Sequence, residues 1–188
     1  MQNSARRQGA REQVAHCLIC RGSHLPTIIR YRPEEQQHDT AIVRLLQAAY
    51  VDAGFTAPEI AARMFQPDEV KKRGEVLLAL SDETNVIGMI IVATDSNPYR
   101  QVAGSGEAEM QLLATHPASR TRGVGEALCR AFETRAVERG LSSAVLSTQP
   151  TMHAAHRLYL RLNFVRNPAR DWRRNDREFW VFDKTLRV

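Results

Sequence analysis

Apolar residues follow two different periods along this chain, and the order of these periods predicts an α/β fold. Runs with a period of two, or continuous apolar runs, predict strands, whereas apolar residues three and four positions apart predict helices. The predicted strands are residues 27–32, 76–80, 86–93, 109–115, 144–148, 164–165 and 179–182. The predicted helices are residues 33–54, 58–72, 126–139 and 153–162. Helices that cross between strands in this order are typical of a sheet with helices packed on it.

The segment between the strand 109–115 and the helix 126–139 is the most informative part of the chain. It reads Arg-Thr-Arg-Gly-Val-Gly over residues 120–125. Gly123 and Gly125 let the backbone come close to a ligand, and the first free N–H groups of a helix bind anions well, so this segment is predicted to bind phosphate. The Gly-Lys-Ser/Thr of a Walker loop does not follow, and the third glycine and the downstream acidic residue of a dinucleotide fold are missing. Those two kinds of nucleotide site are therefore excluded.

The residues around this segment resemble the signatures of the GNAT superfamily of N-acetyltransferases. The acyl-CoA signature is Gln or Arg, two residues, Gly, one residue, then Gly or Ala, and its three fixed positions are met by Arg120, Gly123 and Gly125. Residues 113–117 are similar to the family's Leu-Ala-Val-x-Pro, with threonine in place of valine. Residues 152–164 are similar to its second signature, Asn-x-x-Ala-x-x-Leu-Tyr-x-x-x-Gly-Phe. The resemblance spans about residues 27–188.

Two residues depart from the second signature. Asn163 stands in place of the glycine, and asparagine is the side chain that best tolerates the left-handed conformation expected between a helix and a strand. Met152 replaces the asparagine, a polar residue that helps to tie the cofactor arm or the last helix in the family. Met152 therefore lacks the polar group for this one contact, while the phosphate-binding segment is unaffected.

The resemblance implies a fold and a reaction. The fold is a mixed, mostly antiparallel sheet of about six or seven strands, with helices on both faces and a V-shaped splay between the fourth and fifth strands. The reaction is acetyl transfer from acetyl-CoA to a primary amine of a small molecule or a protein, by direct attack in a ternary complex. The alternative is a catalytically idle acyl-CoA sensor.

The resemblance also implies which residues bind acetyl-CoA. The backbone N–H of Leu113 would face the acetyl carbonyl, the backbone of Thr115 would hold the pantetheine amide, and the residues 120–126 would surround the pyrophosphate. The full predicted set is Leu113, Ala114, Thr115, Arg120, Thr121, Arg122, Gly123, Val124, Gly125 and Glu126.

Two side chains are candidates for moving protons in this reaction. Glu109 lies four positions before Leu113, where some family members carry a catalytic glutamate, and it is the predicted base. Glu107, on the same face of the strand, and a water molecule are the open alternatives for that role. Tyr159 of the Leu-Tyr signature is the predicted acid for the thiolate; a tyrosine that only packs the helix on the sheet is the alternative.

The net charge of +5 belongs to the start of the chain. Residues 1–32 hold six basic groups against one acidic group, and the remaining residues hold 20 of each. A nucleic-acid-binding domain is expected to carry its positive charge on a folded face, so nucleic acid is not an expected partner. We expect residues 1–26 to form a flexible basic tail and residues 27–188 to form one acetyltransferase domain.

Cysteine content and hydropathy bound the remaining options. Cys17 and Cys20 form a C-x-x-C motif near His16 and His24, but a zinc site normally needs a second such pair, so no metal is expected. The chain has no signal-peptide core and no run of about 18 apolar residues that would span a membrane. A cytoplasmic location is expected. A homodimer is compatible with the sequence, and the sequence identifies neither the acceptor nor the oligomeric state.

Overall fold

An eight-stranded mixed sheet forms the centre of the structure, a computed structural model that describes residues 25–82 and 84–186. The strands are β1 (Thr27–Tyr31), β2 (Glu75–Leu80), β3 (Val86–Thr94), β4 (Glu107–Thr115), β5 (Ser143–Thr148), β6 (Val165–Arg166), β7 (Trp172–Arg174) and β8 (Arg177–Thr185). The helices are α1 (Asp39–Leu46), α2 (Pro58–Met64), α3 (Pro67–Lys71), α4 (Val124–Glu138) and α5 (His153–Arg161). A π-helical turn (Gln47–Val51) extends α1, and 3₁₀ turns occupy Pro117–Ser119 and Pro168–Arg170.

The sheet has the strand order β1-β2-β3-β4-β5-β8-β6, with β7 paired to β8. Every pairing is antiparallel except that of β4 with β5. These two parallel strands pair from Glu107 with Ser143 as far as Met110 with Leu146. Beyond that point β4 continues to Thr115 while β5 stays paired with β8 instead. The predicted splay between the fourth and fifth strands is thereby confirmed.

Helices cover both faces of the sheet, as predicted. Strand β2 shows the division, because Leu77 and Ala79 point to one face and Val76 and Leu78 to the other. The first pair belongs to the core beneath α4 and α5, and the second to the core beneath α1, α2 and α3. The strand alternation thus supplies two apolar layers, which hold β2, β3 and β4 between packed helices.

Two helix predictions differ from the structure. The single helix predicted over 58–72 is wrong, because a second helix starts at Pro67, and a proline fits the first turn of a helix but not its interior. Gln66 before it is extended, with φ −61° and ψ 138°, as residues before proline prefer. The helix predicted over 33–54 begins only at Asp39, after turns.

The last two strands form a hairpin that the hydrophobic pattern predicted only in part. The strand predicted over 179–182 is the middle of the longer β8, and β7 was not predicted. The turn between them is Asn175-Asp176, with φ of 47° and 61°. Asparagine and aspartate are the non-glycine residues that best accept this left-handed backbone, so this pair of residues was the overlooked signal.

The predicted basic tail lies largely outside the described residues. So do Cys17 and Cys20 and the two histidines beside them. The third cysteine, Cys129, is a buried thiol on α4.

Candidate active site

The phosphate-binding segment of the sequence forms the turn into α4. Gly123 precedes the helix with φ of 77°, a left-handed conformation that favours glycine. The carbonyl of Gly123 accepts the N–H of Ala127 at 2.9 Å, so the N–H groups of Val124, Gly125 and Glu126 come before the first helical bond. Together with the positive end of the helix dipole, they make this helix start suited to an anion.

The side chains of this turn leave its backbone accessible. Arg120, Thr121, Arg122 and Gly123 are all exposed. The two arginines place positive charge beside the free N–H groups, and an arginine binds phosphate oxygens through charge-assisted hydrogen bonds.

Glycines also bring α4 close to the strands and to α5. A Cβ at Gly125 would lie 3.1 Å from Leu158 Cδ2, so this glycine allows the start of α4 to contact α5. A Cβ at Gly88 of β3 would lie 2.8 Å from Val124 Cγ1, closer than real contacts allow. Gly88 therefore sets how near the helix start can approach the sheet. Gly88 was not predicted to have this role, although a glycine inside a strand pattern is a signal of close approach.

A β-bulge interrupts β4 directly beside the splay. Met89 pairs with Ala114 and Ile91 with Gln111, so Leu112 and Leu113 together face the single residue between Met89 and Ile91. Leu112 has φ of 47°, which a leucine rarely adopts and which turns the following peptide groups out of the regular ladder.

Tyr50, from the core beneath α1, α2 and α3, holds this bulge in place. The hydroxyl of Tyr50, in the π-helical turn after α1, donates to the carbonyl of Leu113 at 2.9 Å. Because its carbonyl accepts this bond, Leu113, the predicted acetyl-binding residue, has a fixed backbone orientation.

Tyr159 lies on α5 within the core under α4. Its ring is 6.0 Å from the rings of Phe164 and of Phe182, and its exposed fraction is 6%. Burial raises the pKa of Tyr159 well above its usual value, so the phenol is protonated at neutral pH. A protonated phenol is the form that a general acid requires.

Glu109 is buried and has hydrogen-bond donors on both carboxylate oxygens. One oxygen accepts the backbone N–H groups of Gln101, Val102 and Ala103 at 2.8, 2.8 and 2.9 Å. The other accepts the side-chain amide of Gln111 at 2.9 Å. With an exposed fraction of 1%, Glu109 anchors the loop of residues 95–106, here called the β3–β4 loop.

Glu107 forms a different contact two residues earlier. Arg170 donates to both of its oxygens at 2.8 and 2.7 Å and to the carbonyl of Val102 at 2.6 Å. The bond from Arg170 holds the pKa of Glu107 below its usual value. Glu107 is thus an ionised partner of Arg170 that ties the start of β4 to the turn after β6.

The connection between α1 and α2 lies against the end of β5. The carbonyl of Phe55 accepts the side-chain amide of Gln149 at 2.8 Å and a guanidinium N–H of Arg177 at 3.5 Å. His156 bonds the carbonyl of Gln149 at 3.1 Å, and burial lowers the pKa of this imidazole. These contacts tie the connection to the segment after β5, to α5 and to β8.

Neither a metal-binding cluster nor a membrane-spanning helix is found in the part of the chain that the structure describes. Within residues 25–82 and 84–186, no three histidine, cysteine or acidic side chains are grouped to hold a metal ion. Over the same residues, no helix combines the length and the apolar character needed to cross a bilayer.

Comparison with known proteins identifies the family. Residues 40–164 match the family model described as the acetyltransferase (GNAT) family. The acetyltransferase of the GNAT family from Staphylococcus aureus Mu50 is 12% identical, with a TM-score of 0.67 over 86% of this chain and 99% of that chain. The PaiA N-acetyltransferase from Thermoplasma acidophilum, solved in complex with coenzyme A, is 12% identical, with a TM-score of 0.65 over 85% of this chain and 98% of that chain.

A third solved structure has the same fold. The ribosomal-protein-S18-alanine N-acetyltransferase from Escherichia coli is 16% identical, with a TM-score of 0.61 over 87% of this chain and 96% of that chain. No curated protein sequence matches the chain. At these identities the solved structures establish the fold, and the family match over most of the chain establishes the relationship. The chain belongs to the GNAT family of acetyltransferases, and it is an acyltransferase.

Proposed function

We propose that this protein transfers the acetyl group of acetyl-CoA to a primary amine of a small molecule or a protein, by direct attack of the amine in a ternary complex. The observation that supports this most is the bulge at Leu112 and Leu113. It interrupts β4 just after the pairing with β5 ends, on the strand that leads into the start of α4. The opening with free main-chain groups thus lies on β4, and the anion-binding helix start lies on α4, the next long element of the chain.

Acetyl-CoA supplies an activated acetyl thioester and a pyrophosphate. The backbone N–H groups at the start of α4, with Arg120, Thr121 and Arg122, are proposed to bind the pyrophosphate. The main chain of Leu113, Ala114 and Thr115 is proposed to bind the extended arm, in the manner of strand addition. In that arrangement the N–H of Leu113 stabilises the negative charge that develops on the acetyl oxygen.

Tyr159 is the proposed acid. The amine nitrogen forms a bond to the acetyl carbon, the carbon–sulfur bond breaks, and the departing thiolate takes a proton from the Tyr159 phenol. The proton that the amine loses to water then returns to the Tyr159 phenolate. Support comes from the position of Tyr159 on α5 next to Leu158, which contacts the start of α4 at Gly125.

The base is proposed to be a water molecule, one of the three options that the sequence left open. Both oxygens of Glu109 are occupied by N–H donors, and Glu107 is bonded to Arg170. Either carboxylate would have to give up hydrogen bonds to take a proton from an amine. We therefore propose that Glu109 is a positioning residue, which holds the β3–β4 loop beside the acceptor.

Two measurements test the proposed function. Thiol release from acetyl-CoA is followed across a panel of primary amines, and acetyl-CoA affinity is measured by calorimetry. We expect affinity in the micromolar range and thiol release that depends on the amine. Failure of every amine to release thiol, combined with tight coenzyme A binding, would instead support the acyl-CoA sensor. Absence of any coenzyme A binding would contradict both functions.

A further inference from the structure

The chain between α1 and α2 crosses the opening between β4 and β5. The parallel pairing of these two strands ends at Met110 and Leu146. If the same register continued, Leu113 would lie opposite Gln149, so these two residues mark the two sides of the opening at one level. Both are hydrogen-bonded to residues 50–56, here called the crossing segment.

Tyr50 bonds the crossing segment to β4. Its hydroxyl donates to the carbonyl of Leu113 at 2.9 Å. Its own carbonyl accepts the backbone N–H groups of Phe55 and Thr56 at 2.8 and 3.0 Å. The tyrosine ring also lies 5.8 Å from the ring of Phe65. The side chain and the main chain of one packed residue therefore join β4 to the crossing segment.

Phe55 bonds the crossing segment to the other side of the opening. Its carbonyl accepts the side-chain amide of Gln149 at 2.8 Å and a guanidinium N–H of Arg177 at 3.5 Å. Gln149 directly follows β5, and Arg177 is the first residue of β8, the strand that pairs with β5. One series of hydrogen bonds thus runs from β4, through Tyr50 and Phe55, to the end of β5.

The bulge that this series reaches has a strained backbone. Leu112 has φ of 47°, a left-handed conformation that is unfavourable for a residue with a side chain. Strained backbone persists where the surrounding groups fix it. The carbonyl that Tyr50 holds belongs to the next residue, Leu113, whose N–H is the proposed donor to the acetyl oxygen.

We propose that Tyr50 is a positioning residue for acetyl transfer. The crossing segment fixes the backbone of Leu113 on one side of the opening and the end of β5 on the other. The N–H of Leu113 thereby keeps the direction in which it stabilises the charge that develops on the acetyl oxygen. Tyr50 acts through Leu113 and not by contact with the reacting atoms. This role rests on the proposed function.

Tyr50→Phe in the full-length protein removes only the hydroxyl. We expect kcat with acetyl-CoA and an amine acceptor to fall about tenfold through misalignment of the Leu113 donor, and Kd for coenzyme A to change by less than about twofold. Affinity is retained because the proposed pyrophosphate site at the start of α4 is unaltered. The matched control is Tyr31→Phe, which removes a hydroxyl that donates to Asp39 at 2.8 Å in the same core. It should lower the melting temperature and leave kcat unchanged.

Gln149→Ala tests the other end of the crossing segment. It removes the amide that holds the carbonyl of Phe55, so we expect kcat to fall about threefold. When Gln149→Ala is combined with Tyr50→Phe, the two losses should be less than multiplicative, because both residues act through one series of bonds. Gln66→Ala is the matched control, since its amide also donates to a carbonyl at 2.8 Å, that of Ala62. It should leave kcat unchanged.

The stretching frequency of the bound thioester carbonyl reports the Leu113 N–H directly, and it is measured without an amine. Difference infrared spectra with acetyl-CoA that carries ¹³C at the carbonyl separate this band from those of the protein. In the wild type we expect a lower frequency than in free acetyl-CoA, because an aligned donor polarises the carbonyl. In Tyr50→Phe the band should lie closer to the free value, and in Tyr31→Phe it should not move.

The outcomes separate this inference from the proposed function. A wild-type kcat and carbonyl frequency in Tyr50→Phe would overturn the inference and leave acetyl transfer intact. An equal loss of kcat in Tyr31→Phe would also overturn it, because general destabilisation would then explain both variants. If no amine releases thiol, the proposed function fails and the carbonyl frequency alone decides the role of Tyr50. Absence of acetyl-CoA binding would overturn both.

Discussion

Gly123 and Gly140 lie at opposite ends of α4 with nearly the same backbone, φ of 77° and 74°. Neither has an atom closer than 3.9 Å to the position of an added Cβ. Alanine at either position adopts a left-handed conformation at a cost of about 1 kcal/mol. We expect Gly123→Ala and Gly140→Ala to destabilise the protein by similar amounts in urea unfolding, and only Gly123→Ala to raise the Kd for acetyl-CoA, about tenfold.

This pair of variants separates backbone strain from ligand contact. Gly140→Ala controls for the strain, since it lies at the helix end away from the proposed pyrophosphate site. Equal coenzyme A affinity in the two variants would contradict the role proposed for Gly123.

Tyr159→Phe tests the acid at the level of a single oxygen atom. The ring contacts with Phe164 and Phe182 are retained, so we expect a small change in melting temperature and a fall in kcat of about 10². The control is Tyr31→Phe in the core on the other face of the sheet, which loses a 2.8 Å bond to Asp39 and should cost about 1 kcal/mol of stability without changing kcat. A wild-type kcat in Tyr159→Phe would mean that the phenol only packs the core.

Single residues were predictable where the constraint is local. Asn163 has φ of 64°, as the sequence predicted from its place between a helix and a strand. The hydrogen bonds of Glu109 were not predictable, because they depend on how residues 101–103 fold back on β4. The hydrophobic pattern of the sequence contains no information about how these residues fold back.

At the scale of elements, the buried carboxylate of Glu109 accepts three consecutive backbone N–H groups of the β3–β4 loop. Glu109→Gln replaces an oxygen acceptor by an amide that cannot accept all of the same N–H groups. We expect kcat/KM to fall by about tenfold or more, with the shape of its pH profile unchanged, because the loop moves and no titrating base is lost.

The pH profile distinguishes positioning from catalysis by Glu109. Loss of the acidic limb of kcat/KM in Glu109→Gln would assign the base to this carboxylate. Asp95→Asn is a matched control, since Asp95 accepts a single N–H, from Gly106, in the same loop. It should have a smaller effect.

Elements were predicted best where apolar runs are continuous. The predicted strands 76–80 and 86–93 agree with β2 and β3 to within a residue, because both strands are buried on both faces. Strand β7 was missed because Trp-Arg-Arg is too short and polar to show a period. The bulge at Leu112 was also missed, since two adjacent leucines look the same in a regular strand.

At the scale of the whole molecule, Glu107 and Arg170 join β4 to the turn after β6, which lies on the far side of β5 and β8. The pKa of Glu107 is lowered in the folded state, so the pair stabilises the protein above the unfolded pKa of about 4.3 and loses this effect as pH falls through the folded pKa. We expect Glu107→Gln to cost about 2 kcal/mol at pH 7. The difference from wild type should shrink as pH falls below about 4.3.

Urea unfolding of both proteins between neutral and acidic pH measures this difference. Glu178→Gln serves as a control, because Glu178 is exposed and bonds only the indole of Trp180 among the described contacts. A Glu107→Gln deficit that stayed constant with pH would show that the ion pair is not its origin.

The strand order of the whole sheet cannot be deduced from the hydrophobic pattern of the sequence. Alternation tells which residues share a face, but it does not tell which strands are neighbours or that β4 and β5 run parallel. The family resemblance carried that part of the prediction, through the residues 113–125 and 152–164. The acceptor side has no recognisable motif in the sequence.

The short pairing of β4 with β5 leaves two strand edges open inside the sheet. Such edges are templates for any extended chain, including a segment of another molecule of the same protein. With the proposed arm of acetyl-CoA in place, the gap is filled and the folded state gains stability by mass action. Cofactor supply would then protect the protein from self-association as well as feed its reaction, and depletion of acetyl-CoA would expose these two edges again.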